Sequence, residues 1–337
     1  KFGSSGAVHI SSGKAAVGTS GNITLQTGSA GKDAGSLLLT AGSSSGNINS
    51  GGSIVLNAGS AVGAGSVSLG GDVKVAAGSS AGSTGGSVEI LTGPSEGSSL
   101  SGAVTLRSAD GVSAEASSGN IVVSSGSAKT SASGSLTLST GDASMGEAGS
   151  IHVKSGATSK ASGNDLALKA GASNSATGGG IYISSGSSST GMSGRVDIST
   201  PNAPASGRIS LTTGDSTSGN AGDVLIGTGD SRDDNSGSVS VIAGSGGGIG
   251  GSILLAAGNS SKATGGSLSM TSGAGHLGVS GSIMVETALA SNAGSSGGVS
   301  IKTGEANAGS AGGVTISTGR AAGGSSGSIA IMVGAGQ

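Results

Sequence analysis

The chain has little of the material from which an ordinary hydrophobic core is built. Its 337 residues include no cysteine, no tryptophan, one tyrosine (Tyr182) and one phenylalanine (Phe2). The lack of cysteine excludes disulfides and thiol chemistry. Because aromatic side chains usually supply much of the buried area of a globular domain, their scarcity predicts that any core is thin.

Charge is scarce as well, at 9% of residues, and 15 basic and 17 acidic residues give a net charge of −2. No basic run offers a footprint for a phosphate backbone, and aromatic platforms for stacking bases are missing, which argues against nucleic-acid binding. No stretch approaches eighteen consecutive apolar residues, so no membrane span is predicted. The chain begins at Lys1 without an initiator Met or signal peptide, which indicates a processed product or a piece of something longer.

Glycine, by contrast, is abundant, with 73 residues, and this composition alone is typical of a flexible linker. The order of the residues contradicts that interpretation. The motif Gly-x-aliphatic-x-aliphatic-x-small-Gly recurs along the whole chain, and we number each copy from its first residue, the opener, as position zero. The openers are residues 6, 21, 35, 52, 71, 86, 102, 119, 134, 149, 164, 179, 194, 207, 222, 237, 251, 266, 281, 297, 312 and 327.

Each position of this repeat, whose mean spacing is about 15 residues, keeps its residue type. Position two is Val, Ile or Leu in every copy, and position four is one of these or, once, Met270. Position six is Ser, Thr or Ala except at Val333, and position seven is Gly except at Ala109, Pro201 and Ala288. A disordered linker has no reason to hold these positions in phase, so an ordered repeat is predicted.

The repeat predicts an all-β fold, a single-chain β-solenoid of about 22 rungs with a period of about 15 residues. Positions two, four and six alternate with mostly polar neighbours, as in a strand with one buried face. Glycine at position seven is expected to take the positive φ of a tight corner, and a second short strand or extended return follows it. We expect one continuous array over residues 1–337, belonging to a longer array or filament. A coil of twice the length, with two motifs in each turn, is the alternative.

Candidate chemical sites are few, and the sequence predicts no catalytic, cofactor-binding or metal site and no enzyme activity. The three histidines are expected to be separate surface residues: His9, His152 and His276. Four aspartates follow position seven directly and are expected to accept local backbone N–H bonds in turns: Asp110, Asp142, Asp215 and Asp230. The alternative is a calcium site at Asp230, Asp233, Asp234 and Asn235.

Two rival functions were weighed against a structural role. Some ice-binding proteins are short-coil solenoids with a flat threonine array, so an ice- or glycan-binding surface is the main alternative. Position three, however, reads Thr24, Lys74 and Glu89 in three of the copies, which breaks such a plane. A carbohydrate-cleaving β-helix would need a charged patch on one face, and the outward positions have none.

The sequence also suggests partners. The triplets Asn22-Ile23-Thr24 and Asn259-Ser260-Ser261 match the N-glycosylation sequon, so glycans are expected on Asn22 and Asn259. The first motif starts at Gly6, with Phe2 as its only candidate lid, and the last strand ends at Ile331. Because repeat arrays normally end in capping units, their lack predicts self-association, or stacking on neighbouring solenoid segments through open edges.

One copy, Ser133-Gly134-Ser135-Leu136-Thr137-Leu138-Ser139-Thr140-Gly141, resembles the Gly/Ser-rich SGxVxLxTG repeats of large secreted proteins in diatoms and related algae. The resemblance implies an extracellular fibre or surface component, such as a flagellar hair or cell-coat filament. The sequence therefore predicts an extracellular or cell-surface filament subunit or rigid spacer that stacks end to end.

Overall fold

The computed structural model describes residues 5–45, 50–61, 68–96, 98–113, 115–291 and 294–335. Over these ranges the chain forms no helix and no strand; it is coil, interrupted by bends at regular intervals. The chain divides into two units, Lys1–Leu168 and Lys169–Gln337. The same repeating local structure is present in each unit.

The predicted all-β fold, a β-solenoid, is therefore wrong. No described residue is buried, and the solvent-accessible surface is 33471 Å². A compact protein of this mass would expose about 12,000 Å² and a fully unfolded chain about 44,000 Å². Two aliphatic side chains per copy can contribute only about 3–6 kcal/mol, while ordering the backbone costs about 1–2 kcal/mol for each residue. The backbone ladders needed to close that gap are absent from the described residues.

The alternation of side chains that suggested strands is nevertheless present. Side chains at positions one and three of a copy contact each other, so both lie on the same side of the backbone. These contacts are Lys74 Nζ to Asp72 Oδ2 at 3.3 Å, Arg195 Nε to Asp197 Oδ2 at 2.8 Å, and Ser150 Oγ to His152 Nε2 at 2.9 Å. Position two must then point to the opposite side, as an extended backbone requires.

Exposure follows the same alternation. In the copy that opens at Gly119, Ile121 at position two is 50% exposed, Val122 at position three 82%, and Val123 at position four 61%. The aliphatic positions two and four are thus shielded in part, but they are not packed into a core. The side chains at positions two and four thus point to one side of the backbone, as predicted, but that side is not buried.

The bends occur at one fixed place in the repeat, positions ten to twelve. Three-residue bends are found at 16–18, 81–83, 129–131, 144–146, 159–161, 174–176, 189–191, 217–219, 232–234, 247–249, 261–263, 276–278, 307–309 and 322–324. Each begins ten residues after its opener. The segment after position seven is therefore a loop, and the predicted second strand or extended return is wrong.

A hydroxyl group at position nine fixes many of these bends. In the copy that opens at Gly179, Ser188 Oγ accepts hydrogen bonds from the backbone N–H groups of Gly191 at 2.9 Å and Thr190 at 3.4 Å. The same arrangement is found at Ser80, Thr158, Ser173, Ser216, Ser231 and Ser260. Short hydroxyl side chains favour turns by this kind of local bond.

The corner predicted at position seven is also wrong. Among the described glycines only Gly18 has a positive φ, at 107°, and it lies at position twelve of its copy. The backbone turns at the bend, several residues later than predicted, and in seven copies a position-nine hydroxyl accepts hydrogen bonds from the turning backbone.

Candidate functional site

The most recurrent contact in the molecule lies where each loop begins and ends. We call it the neck, and it consists of position six, position seven and the next opener. In nine described necks the opener N–H donates a hydrogen bond to the position-seven carbonyl, at 2.8–3.2 Å. The donors are Gly52, Gly71, Gly86, Gly102, Gly179, Gly194, Gly251, Gly266 and Gly281. One backbone bond thus closes a loop, with six to eleven residues between the two bonded glycines.

In the nine closed necks glycine is needed at the opener because the chain approaches itself closely there. A Cβ atom added to Gly251 would lie 3.1 Å from the Cβ of Ala243 and 3.3 Å from the nitrogen of Gly244. Both distances are shorter than ordinary van der Waals contact, so a side chain would push the neck apart. The glycine at position seven has no such constraint; a Cβ at Gly244 would meet nothing within 4 Å.

Position six is the most shielded position of the repeat. Almost all described residues are exposed, and only seven have intermediate exposure. Six of the seven are at position six: Ala41, Ser108, Ala170, Thr200, Ala243 and Ser272. The small residue that the sequence places there therefore packs against the glycine of the next opener.

Two kinds of neck can be distinguished by the residue at position six. Every neck with alanine there is closed by the opener hydrogen bond, and each is followed by a Gly-Gly pair at the next opener. The alanines are Ala41, Ala58, Ala77, Ala170, Ala243 and Ala257. The matching pairs are Gly51-Gly52, Gly70-Gly71, Gly85-Gly86, Gly178-Gly179, Gly250-Gly251 and Gly265-Gly266.

Threonine at position six gives the second kind. Among the described necks with threonine, only that of Thr92 has the opener bond, and it is the longest of the nine at 3.2 Å. In the other threonine necks the threonine methyl group lies close to the opener. At Gly207, for example, an added Cβ would lie 3.4 Å from Thr200 Cγ2. Two threonines bridge the gap with the hydroxyl group, which donates to the opener carbonyl: Thr27 to Gly35 at 3.0 Å and Thr228 to Gly237 at 3.1 Å.

This coupling was missed at the sequence level, although a signal was available. Ser or Ala precedes the next opener when position six is threonine, and Gly precedes it when position six is alanine. Comparing position six with the residue before the following opener would have predicted that these two places are in contact. Both residues are small in every copy, so the difference is hidden when the copies are averaged.

The predicted site residues do not come together. Within the ranges that the structure covers, no three His, Asp or Glu side chains are placed to hold a metal ion. His152 bonds only the neighbouring Ser150 in its own copy. The four aspartates after position seven form no hydrogen bonds within the described part of the chain; at the next residue, Ser231 accepts the Asp234 N–H at 3.1 Å.

A shallow cavity of about 990 Å³ lies in the second unit, between residues 191–193 and 229–237. Asp230 and Asn235 line it together with glycines, serines and Met192, whereas Asp233 and Asp234 do not. The four residues weighed as a calcium site therefore do not share one cavity. Of the two glycan-site asparagines, Asn22 is exposed at position one, and Asn259 is exposed directly before the bend cap Ser260. Phe2 lies outside the described residues.

No protein-family model, curated protein or solved structure matches the chain. In the part of the chain that the structure describes, no helix has the length and apolar character needed to cross a bilayer. The neck, repeated along both units, is therefore the feature on which a functional argument can be built.

Proposed function

We propose that the chain is a structural protein of the extracellular space, a tandem-repeat spacer or fibre-forming subunit, and not an enzyme. The observation that carries the proposal is the recurrence of the same local contacts along the chain: the opener hydrogen bond in nine described necks and the hydroxyl-capped bend in seven copies. A structural chain uses such repetition, because successive copies then present similar surfaces. An enzyme instead needs one place that differs from the rest.

The exposure of the side chains also supports a structural role. Catalysis depends on groups held rigidly in a site from which water is excluded. The aliphatic residues of this chain are at least about half exposed throughout the described ranges, and the ion pairs that form there lie within single copies, as between Asp72 and Lys74 at 3.3 Å. The surface is thus suited to contact along its length and not to one buried reaction centre.

An extracellular setting fits the two accessible sequons. Asn22 and Asn259 are both exposed to a glycosylating enzyme. We place N-linked glycans on these two residues. Enzymatic release of the sugars from native material, followed by mass spectrometry, should find aspartate at both positions, whereas Asn235, which lies outside a sequon, should be unchanged.

Small-angle scattering of the full chain in dilute solution tests the structural role. A compact protein of this length has a radius of gyration of about 20 Å, and the proposal predicts a clearly larger value. Electron microscopy of material from the native source should then find thin fibres or elongated particles at the cell surface. A radius of gyration as small as that of a compact protein, or a location inside the cell, would contradict the proposal.

A further inference from the structure

The second side of the extended segments carries an uncharged, aliphatic surface that is not buried against any other described part of the chain. We infer that copies of this chain associate side by side through their position-two and position-four side chains. The aliphatic row means those two positions taken over all described copies. The inference rests on the proposed structural function and names the partner of that surface, a second copy of the chain.

The aliphatic row is large enough for a stable interface. One Val, Leu or Ile side chain offers roughly 60–120 Å² of apolar area, and those at positions two and four are mostly between half and three-quarters exposed. Seven consecutive copies therefore present about 800 Å², which is the area that one partner of a standard protein interface contributes. The chain has 22 openers, so the available surface exceeds this requirement several times.

The charges do not obstruct the aliphatic row. None of the positions two, four or six carries a charged residue in any copy. In two copies charged residues flank an aliphatic residue on both sides, and there they lie on the opposite side of the backbone and are paired with each other. Asp72 and Lys74 flank Val73 in this way at 3.3 Å, and Arg195 and Asp197 repeat the arrangement at 2.8 Å.

The spacing of the aliphatic pairs along the row indicates that the partner bound to it is a second copy of the same chain. The partner must present aliphatic pairs at the interval of this repeat, because the loops between the pairs would otherwise meet the row. The intervals between openers range from 13 to 19 residues, so a second copy matches this spacing when the two chains are aligned in register. The small net charge of −2 leaves little repulsion between copies.

Sedimentation of the full chain over a range of concentrations tests the inference. Wild-type protein should shift from monomer to larger species as its concentration rises. The triple variant that combines Leu25→Asp, Leu138→Asp and Leu255→Asp should need at least a tenfold higher concentration to form the same larger species. Each change places an unpaired charge in the interface. The matched control combines Thr24→Asp, Thr137→Asp and Leu254→Asp, which change the net charge equally but lie at position three. The concentration at which this control associates should stay within threefold of the wild-type value.

Disulfide trapping gives a second readout that does not depend on stability. Because the chain has no cysteine, Leu138→Cys introduces a single thiol into the row and should form covalent dimers under mild oxidation. Thr137→Cys, one residue away on the other side, should form few, since cross-linking needs Cα atoms within about 7 Å. Equal trapping at both positions, or equal loss of association in both triple variants, would overturn the inference.

The two proposals can fail separately. A chain that stays an expanded monomer at every concentration would overturn the side-by-side association and leave the spacer function standing. A compact monomer, with the small radius of gyration of a globular protein, would overturn both.

Discussion

The N–H group of Gly251 donates a hydrogen bond of 2.9 Å to the carbonyl of Gly244. The six residues 245–250 form the loop between these two glycines, and the methyl group of Ala243 packs against the returning glycine. The same geometry recurs in eight other necks. The molecule is thus organised by repeated local closure, and the first predictions concern what permits that closure.

Replacing Ala243 with threonine should open the neck at Gly251. The added methyl group would lie close to the opener, as the threonine methyl group does in other copies. It would keep the opener N–H away from the position-seven carbonyl. An exposed backbone hydrogen bond contributes about 0.5–1.5 kcal/mol, so the Gly251 amide should exchange its hydrogen roughly two- to tenfold faster. Ala243→Gly is the control, because it adds no group that could lie between the opener and the position-seven carbonyl. Identical exchange in both variants would show that the methyl group does not matter.

The two glycines of one neck should respond differently to the same change. Gly266→Ala places a Cβ atom 3.3 Å from the nitrogen of Gly258 and 3.4 Å from the Cβ of Ala257, which should break the neck. Gly258→Ala meets nothing within 4 Å and should leave it closed. Amide chemical shifts and exchange of residue 266, measured by NMR in both variants, check this asymmetry. Loss of the bond in Gly258→Ala would mean that position seven is constrained after all.

Removing a bend cap should loosen one loop without affecting its neighbours. Ser188→Ala leaves the N–H groups of Thr190 and Gly191 without their acceptor, and losing a comparable helix cap costs about 0.5–2 kcal/mol. The exchange of the Gly191 amide should rise at least twofold, while that of Ala176 in the preceding loop should not change. Ser188→Thr should behave as wild type, because Thr158 caps its own bend with a threonine hydroxyl.

The substitution Leu138→Asp should have different effects in the described structure and in the solenoid that the sequence predicted. In a solenoid this change would bury an unpaired charge and disrupt the stack. In the structure Leu138 is 74% exposed, so the change should leave the amide exchange of the described necks unaltered in dilute solution. Exchange that accelerates across many copies at once would favour a cooperative core and contradict the structure.

The repeat predicted much of the local structure. The alternation of positions one to four and the small residue at position six both have a structural counterpart. Ile121, Val122 and Val123 show the expected alternation in their exposures of 50%, 82% and 61%. These features depend on bonds and side-chain directions within one copy, and a single copy's sequence contains enough information to specify them.

The solenoid could not be inferred reliably because it depends on energies between copies. Regular aliphatic spacing indicates which side chains share a side, but not whether another copy covers them. The burial of Leu136 and Leu138 would have needed such a cover, and neither is buried. The bend was misplaced for a related reason: glycine at position seven permits a corner, whereas the hydroxyl at position nine favours one by a specific bond.

Each closed neck also keeps a loop of chain that can extend when the neck opens. The loop between Gly258 and Gly266 is held by one backbone bond, so tension on the chain would act on that bond before it strains any covalent linkage. Opening such a loop would lengthen the molecule by about 20 Å, and closing it would restore the original span. Single-molecule pulling should record this as small, reversible steps, and in Gly266→Ala one step fewer. A material built from this chain would yield gradually and recover, with its toughness set by the number of alanine necks along it.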